Sequence, residues 1–277
     1  MARPGMNIQV IEVSRMYFLI GLLCLLVGGL GGVVSGLTGM GGGVVVLPAL
    51  TALFHLEHQA VTAQDLVATS VSTLAILSLA TKFGQQRHGK PLFQKKDQYL
   101  VLCCGAVGLI IPQIVNTFGH GDLQRWYLIV LLTGLFLQFC CQWGVTRERS
   151  PTLWVVIPCS CLCVVIGGSV GIGGAILLLP LLQLLGMKSQ NAVDVAGVVT
   201  LTGLMAGSLS FSLFSSGGLA EAALIHGQVM SLLLIGGIPA ALLCREAARS
   251  LSPLVHQRLL LGTLIGVTLL SVGLRKV

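Results

Sequence analysis

The sequence predicts an all-α polytopic membrane protein made of two inverted repeats of about five helical segments each. Three observations lead to this fold class: a composition too apolar for a soluble domain, ten apolar segments of which two are half-length, and an internal sequence repeat. Of the 277 residues, 55% are hydrophobic and 9% are charged, whereas a soluble domain carries about 25% charged residues. The alternating pattern of an outer-membrane barrel is absent.

Hydropathy, together with proline, glycine and charge as punctuation, divides the chain into ten segments. They cover residues 16–37, 43–54, 63–81, 98–117, 124–143, 152–170, 174–186, 192–214, 222–243 and 255–273. Segments 43–54 and 174–186 fall short of the ~20 residues that a bilayer-spanning helix needs. Each directly follows a glycine cluster. We therefore expect broken or half-length helices at the two glycine-rich motifs.

The chain repeats itself in three places that occur in the same order. The repeated landmarks are "GMGGGVVVLP" (39–48) with "GIGGAILLLP" (171–180), "TAQD" (62–65) with "NAVD" (191–194), and Pro112 with Pro239. Their offsets are 132, 129 and 127 residues, a drift that loop insertions and deletions would produce. The pattern predicts a tandem duplication, with a first transmembrane repeat at 1–150 and a second at 151–277 in one integrated domain.

The net charge of +7 is interpreted as topology information rather than as a nucleic-acid-binding surface, because Lys and Arg lie mostly in short loops. The loop at 82–96 holds five cations and is expected to face the cytoplasm. If each short segment forms a hairpin with its predecessor, each half crosses the membrane an odd number of times. The halves would then be inverted relative to one another.

The glycine breaks predict a binding site for an anion. A helix that restarts inside the membrane presents unpaired N–H groups and partial positive charge, and glycine allows positive φ and close approach of a ligand. Short, interrupted segments at matching places in two halves indicate a transporter binding site. The candidate residues at the breaks are Thr38, Gly39, Gly41, Gly42, Gly43, Ser169, Gly171, Gly173 and Gly174. The alternative is that these glycines only permit close helix packing.

Hydroxyl-rich stretches and two acids extend the candidate site. Ser70, Thr73, Thr200 and Thr202 could line a polar path, or bond the carbonyls of their own helices. Asp65 and Asp194 stand at matching positions near the start of a segment, where "TAQD" and "NAVD" resemble capping boxes. Capping is the favoured interpretation, and coupling or gating with a proton or sodium ion is the alternative.

Other functional classes have weaker support. The nine cysteines lie almost all inside apolar segments and are interpreted as small hydrophobes; a metal or cation carrier that uses them is one alternative, and a passive anion channel is another. "GGSVG" (167–171) matches a hydrolase nucleophile motif but lacks the sheet that this motif requires. We expect no enzyme activity, no catalytic residue, no cofactor, no metal site and no nucleic-acid partner.

The two signatures "GLTGMGGGVVVLP" (36–48) and "GSVGIGGAILLLP" (168–180) resemble the TauE/SafE sulfite exporter family, also called the toluenesulfonate uptake permease family. The resemblance implies a multi-pass carrier of the bacterial inner membrane. Such a carrier would export a small sulfur-containing anion, such as sulfite or an organosulfonate, by secondary transport. The second copy departs from the first at Ala175, where the first has Gly43.

Overall fold

The computed structural model describes residues 5–38, 42–56, 63–86, 98–117, 120–144, 151–214, 219–248 and 253–274. Every regular element within these ranges is a helix. The helices are α1 (Gly5–Thr38), α2 (Gly43–Leu56), α3 (Ala63–Gln86), α4 (Gln98–Gly108), α5 (Ile111–Val115), α6 (His120–Gly144), α7 (Leu153–Ser169), α8 (Ala175–Leu184), α9 (Ser189–Phe214), α10 (Leu219–Ala248) and α11 (Pro253–Leu274).

Each of the ten predicted segments is helical, and one of them is divided. A turn at residues 109–110 separates α4 from α5, and Pro112 stands in the first turn of α5, where proline is well tolerated. Within the described ranges, six stretches are long and apolar enough to cross a membrane: Phe18–Leu37, Gln64–Phe83, Gln98–Val115, Leu123–Cys141, Asn191–Leu213 and Gly227–Ala247. The all-α polytopic fold class is thereby confirmed.

At each glycine motif one helix ends and another begins, as the sequence predicts. Helix α1 ends at Thr38 and α2 begins at Gly43, while α7 ends at Ser169 and α8 begins at Ala175. The first turns that follow have the same hydrogen bonds. The carbonyl of Gly42 accepts from Val45 and Val46 at 3.0 and 3.1 Å, and that of Gly174 accepts from the two residues aligned with them, at 3.3 and 3.0 Å.

Helix α1 packs most extensively on α10, through a row of glycines. A Cβ atom on Gly28, Gly32 or Gly36 would overlap a backbone carbonyl oxygen of α10, at Leu233, Gly237 and Ala241 respectively. The residue numbers of the contacting positions increase in the same direction along both helices, so α1 and α10 run parallel. These glycines act by allowing two backbones to approach closely, and they lie before the break rather than in it.

Helices α3 and α9 form a central antiparallel pair. Val71 lies against Gly207 near one end of the contact, and Lys82 lies against Gly197 near the other. The residue numbers increase along α3 while those of the contacting positions in α9 decrease, so the two helices run in opposite directions. They are also the helices that carry the predicted hydroxyl residues of each half.

Several contacts between a helix of the first half and a helix of the second have a counterpart, in which each helix is replaced by the corresponding helix of the other half. Helix α10 packs on α3 as α4 packs on α9, α1 packs on α10 as α7 packs on α4, and α11 packs on α2 as α6 packs on α8. The half-length helices are enclosed by the others, and every residue of 167–180 is buried. Large apolar side chains cover the outside of the bundle, for example Phe18, Trp154 and Leu213, as expected of a surface that faces lipid.

Candidate functional site

The second break is built as a glycine-terminated helix end. Gly171 and Gly173 have φ angles of +78° and +89°, a region that L side chains rarely adopt. The N–H of Gly171 donates to the carbonyl of Gly168 at 2.9 Å, and the N–H of Ile172 donates to that of Gly167 at 2.9 Å. This is the Schellman arrangement that closes a helix C-terminus.

In the described part of the chain, the N–H donors left without an acceptor at this break are those at the start of α8. The amides of residues 171–173 are used by the end of α7, so they are not the donors that the sequence analysis expected. For the next three amides, those of Gly174, Ala175 and Ile176, no acceptor is found in the described part of the chain. Ala175 and Ile176 are 0% exposed. The break thus presents N–H donors that have no acceptor among the described residues, together with the positive end of the α8 dipole.

The first break is described from Gly42 onward. The predicted site residues Gly39 and Gly41 lie outside the described residues, and Thr38 is the last residue of α1. Gly42 packs against the backbone of Gly31 in α1, and Gly174 packs against that of Cys163 in α7. At Gly42 and Gly174 glycine is therefore required for packing within each helical hairpin.

The two breaks touch one another. A Cβ atom on Gly43 would lie 2.6 Å from the carbonyl oxygen of Ile172 and 3.0 Å from that of Gly171, so only glycine fits at this position. Ser70, which is 0% exposed, donates its hydroxyl to the Gly171 carbonyl at 2.7 Å. The start of α2, the middle of α3 and the second break thus meet at one place.

The other hydroxyl groups divide into two kinds. Thr73 donates to the Thr69 carbonyl at 2.7 Å, Thr202 donates to the Val198 carbonyl at 3.0 Å, and Ser169 donates to the Val165 carbonyl. These three bond within their own helices, which for Thr73 and Thr202 is the alternative interpretation given above.

Thr200 differs from them. It is 2% exposed, and its Oγ1 has no hydrogen-bond partner among the described residues. A Cβ atom on Gly173 would lie 3.3 Å from Cγ2 of Thr200, which places this threonine directly beside the second break.

The place where the breaks meet lies near the middle of the membrane-spanning stretches. Leu74, whose side chain abuts Gly43, is central in the span Gln64–Phe83, and Thr200 is near the centre of Asn191–Leu213. Interrupted helices of transporters bind their substrates at this depth.

Tyr127 is a residue that the sequence analysis missed. Pro48 has no N–H, so the carbonyl four residues earlier, that of Val44, loses its helical donor. The Tyr127 hydroxyl of α6, on a side chain 3% exposed, donates to this carbonyl at 2.8 Å. The available signal was the proline, which demands a donor from elsewhere; the sequence does not say which residue supplies it.

The capping interpretation fails for Asp194. Helix α9 begins at Ser189, and the N–H of Ala192 already donates to the Lys188 carbonyl at 2.9 Å. Asp194 therefore lies in the second turn, where its carboxylate is 3.8 Å from the guanidinium of Arg245. Asp65 does lie in the first turn of α3, but the expected cap residue, Thr62, is outside the described residues. Because α3 and α9 are antiparallel, the two acids stand at opposite ends of the pair.

The cysteines do not gather into a metal centre in the described parts of the chain, where no group of three or more His, Cys, Asp or Glu side chains could hold an ion. One of them, Cys141 of α6, donates its thiol to the Pro180 carbonyl at 3.0 Å. This contact lies between helices and inside the core, as expected of a cysteine that behaves as a small hydrophobe.

Comparison with known proteins identifies the family. The sequence model of the sulfite exporter TauE/SafE family matches residues 24–271. A probable membrane transporter protein of Methanocaldococcus jannaschii is 24% identical over 267 residues, covering 94% of this chain and 97% of its own. A probable membrane transporter protein of Haemophilus influenzae is 26% identical over 202 residues, covering 71% and 74%. No solved structure matches the chain.

The family is one of transporters and both relatives are named as probable membrane transporters, which agrees with the non-enzymatic function that the sequence predicts. The match spans the helices on both sides of each glycine break, so it includes the whole candidate site. The chain is a multi-pass membrane transporter and belongs to the sulfite exporter TauE/SafE family.

Proposed function

We propose that the protein is a secondary transporter that exports small sulfur-containing oxyanions, such as sulfite or organosulfonates. One observation carries this proposal: buried donors that have no acceptor among the described residues meet in the middle of the spans, where two helix breaks touch. These donors are the amides at the start of α8 and the hydroxyl of Thr200. The family name supports sulfite as the substrate.

The binding chemistry follows from the kind of donor. Backbone N–H groups at a helix N-terminus are a ready anion site, and a low dielectric strengthens each hydrogen bond. The residues around the breaks, Gly43, Ser70, Thr200 and the first turn of α8, carry no formal charge. An oxyanion would thus be held by dipoles alone, which suits a carrier that must release its substrate.

The proposed architecture is a pair of inverted repeats, 1–150 and 151–277. The exchanged helix contacts support a two-fold relation between the halves. The corresponding helices α3 and α9 run antiparallel, so the two-fold axis would lie in the membrane plane. Alternating access in such folds comes from movement of one repeat against the other around a fixed central site.

The transport assay is counterflow of radiolabelled sulfite in proteoliposomes. We expect accumulation of label when the vesicles are preloaded with sulfite, because counterflow requires a carrier. Equilibration of sulfite without counterflow would indicate a passive channel, and counterflow of soft metal ions instead of sulfite would indicate a cation carrier. Repeating the assay with imposed proton or sodium gradients tests coupling, for which Asp65 is the proposed acid; Asp65→Asn should then abolish the response to the gradient and leave counterflow intact.

Two glycine substitutions separate binding from packing. Gly173→Ala places a Cβ beside Thr200 at a φ of +89°, at a strain cost of about 1–2 kcal/mol, and should reduce counterflow more than it reduces folded protein. Gly28→Ala puts a Cβ into the backbone of α10, far along α1 from the break, and should reduce both in proportion. Proportional losses in both variants would instead favour the packing interpretation for the break.

A further inference from the structure

A charge cluster, in which one side chain is buried and two are partly exposed, lies at one end of the central α3–α9 pair. Lys82, near the end of α3, is 8% exposed, and its ammonium group donates to the backbone carbonyl of Asp194 at 3.2 Å. On the other side, the Arg245 guanidinium of α10 lies 3.8 Å from the Asp194 carboxylate. We call Lys82, Asp194 and Arg245 the latch; it ties three helices together.

The latch is separate from the break site. Lys82 follows Ser70 by twelve residues in α3, which is about 18 Å along a helix. It is also at the last turn of the span Gln64–Phe83, and thus near one membrane surface. Ser78 lies between the two places, one turn before Lys82 on the same side of α3, and is 7% exposed.

The latch is cationic as a whole. The three side chains carry two positive charges and one negative charge, so together they have a formal charge of +1. The stem of Lys82 lies directly against Gly197, where a Cβ would be 3.1 Å from Cε. Gly197 therefore lets the ammonium reach the α9 backbone without leaving the bundle, whereas a free lysine at this depth would extend to the interface.

The opposite end of the pair is different. With the offset of 129 residues that aligns Asp65 with Asp194, the position of Lys82 corresponds to Phe211 in α9, an apolar residue that is 4% exposed. The duplication therefore does not account for the lysine. A cationic cluster has been added at one end of a pair whose other end is closed at this position by an aromatic ring.

We infer that the latch is a second anion-binding site and the gate at one end of the transport path. The Asp194 carboxylate occupies this site in the closed state, and an oxyanion that takes its place beside Arg245 and Lys82 releases α9 from α10 and opens that end. This inference rests on the proposed function, because the path it gates is the one that leads to the glycine breaks. It assigns Asp194 a gating role and separates it from Asp65.

The test measures access to a cysteine placed between the latch and the break. Ser78→Cys is labelled with a membrane-impermeant maleimide in proteoliposomes, and the parent protein with its nine cysteines gives the baseline. Methanesulfonate is the anion probe, because sulfite itself consumes maleimides, and chloride is the control. We expect methanesulfonate, but not chloride, to raise the labelling rate at least threefold.

Latch variants supply the decisive comparison. Asp194→Asn should raise labelling without any anion, and the exchanged pair Asp194→Arg with Arg245→Asp should restore slow labelling, while Arg245→Gln should remove the response to methanesulfonate. Unchanged labelling in Asp194→Asn would overturn the gate, and an unaltered methanesulfonate response in Arg245→Gln would overturn the anion site. Sulfite counterflow, measured separately, tells a failure of the latch from a failure of the proposed transport function.

Discussion

The unpaired hydroxyl of Thr200 leads to an unusual prediction: removing it should stabilise the protein and impair its function. Thr200 is 2% exposed and its Oγ1 has no partner in the described part of the chain. Leaving a buried polar group unsatisfied costs about 1–3 kcal/mol. Thr200→Val keeps the branched shape of the side chain and removes this group. We expect the free energy of unfolding to rise by about 1 kcal/mol.

The same substitution should weaken anion binding. A hydrogen bond to a charged group contributes about 1.5–3 kcal/mol, and each 1.4 kcal/mol is about a factor of ten in affinity. If the Thr200 hydroxyl donates to the bound oxyanion, the apparent dissociation constant for sulfite should increase by about ten- to a hundredfold. The measurements are thermal unfolding in detergent and the concentration dependence of sulfite counterflow.

Thr73→Val is the matched control. Thr73 is also 2% exposed and is in the corresponding part of α3, but its hydroxyl already donates to the Thr69 carbonyl at 2.7 Å. The Thr69 carbonyl also accepts a backbone hydrogen bond within the helix, so it keeps a donor when the Thr73 hydroxyl is removed. Thr73→Val should therefore change the free energy of unfolding by less than about 1 kcal/mol and leave sulfite affinity unchanged. A Thr200→Val variant that is less stable than the parent and transports equally well would refute the reasoning.

Three further substitutions, the last with a control variant, test hydrogen bonds and close packing within the bundle. Tyr127→Phe should lower the free energy of unfolding by about 1–3 kcal/mol, measured by thermal unfolding, because it leaves the carbonyl freed by Pro48 buried without a donor. Ser70→Ala should cost about 1 kcal/mol and reduce counterflow further than that loss explains, since it removes the bond between α3 and the second break. Gly32→Ala should sharply reduce the yield of folded protein. In the control variant Gly105→Ala the added Cβ meets open space, and the free energy of unfolding should rise by up to about 1 kcal/mol. Equal yields of the two variants would contradict the packing role of Gly32.

The helices and both breaks could be predicted from the sequence because their causes are local. Hydropathy over about twenty residues fixes a span, and the glycine clusters fix where α2 and α8 restart. Local reasoning placed the start of α9 too late, because "NAVD" resembles a capping box although the helix already begins at Ser189. The first turn of α9 thus begins at residues that precede the "NAVD" motif.

The partners at the site could not be predicted, because they are distant in the chain. Ser70 and Thr73 stand in one hydroxyl-rich stretch, yet Ser70 reaches Gly171 while Thr73 bonds one turn back in its own helix. Which hydroxyl faces the break depends on the rotation of α3 against the rest of the bundle. Likewise, glycine composition alone does not separate Gly28, which meets the backbone of α10, from Gly173, which needs a positive φ.

The places where the halves differ have a consequence for transport. Two identical inverted repeats that exchange conformations would give inward-open and outward-open states of equal free energy. This chain departs from identity at Gly43 and Ala175, at Lys82 and Phe211, and through Tyr127, which satisfies the carbonyl freed by proline in α2. In α8 the corresponding carbonyl, that of Ile176, faces Gly134, where even a Cβ would be 3.3 Å away. Among the described residues, a side-chain donor from α6 therefore holds the start of α2 and none holds the start of α8. We expect the two states to differ in free energy, and α8 to be the half-helix that adjusts when the proposed anion substrate binds.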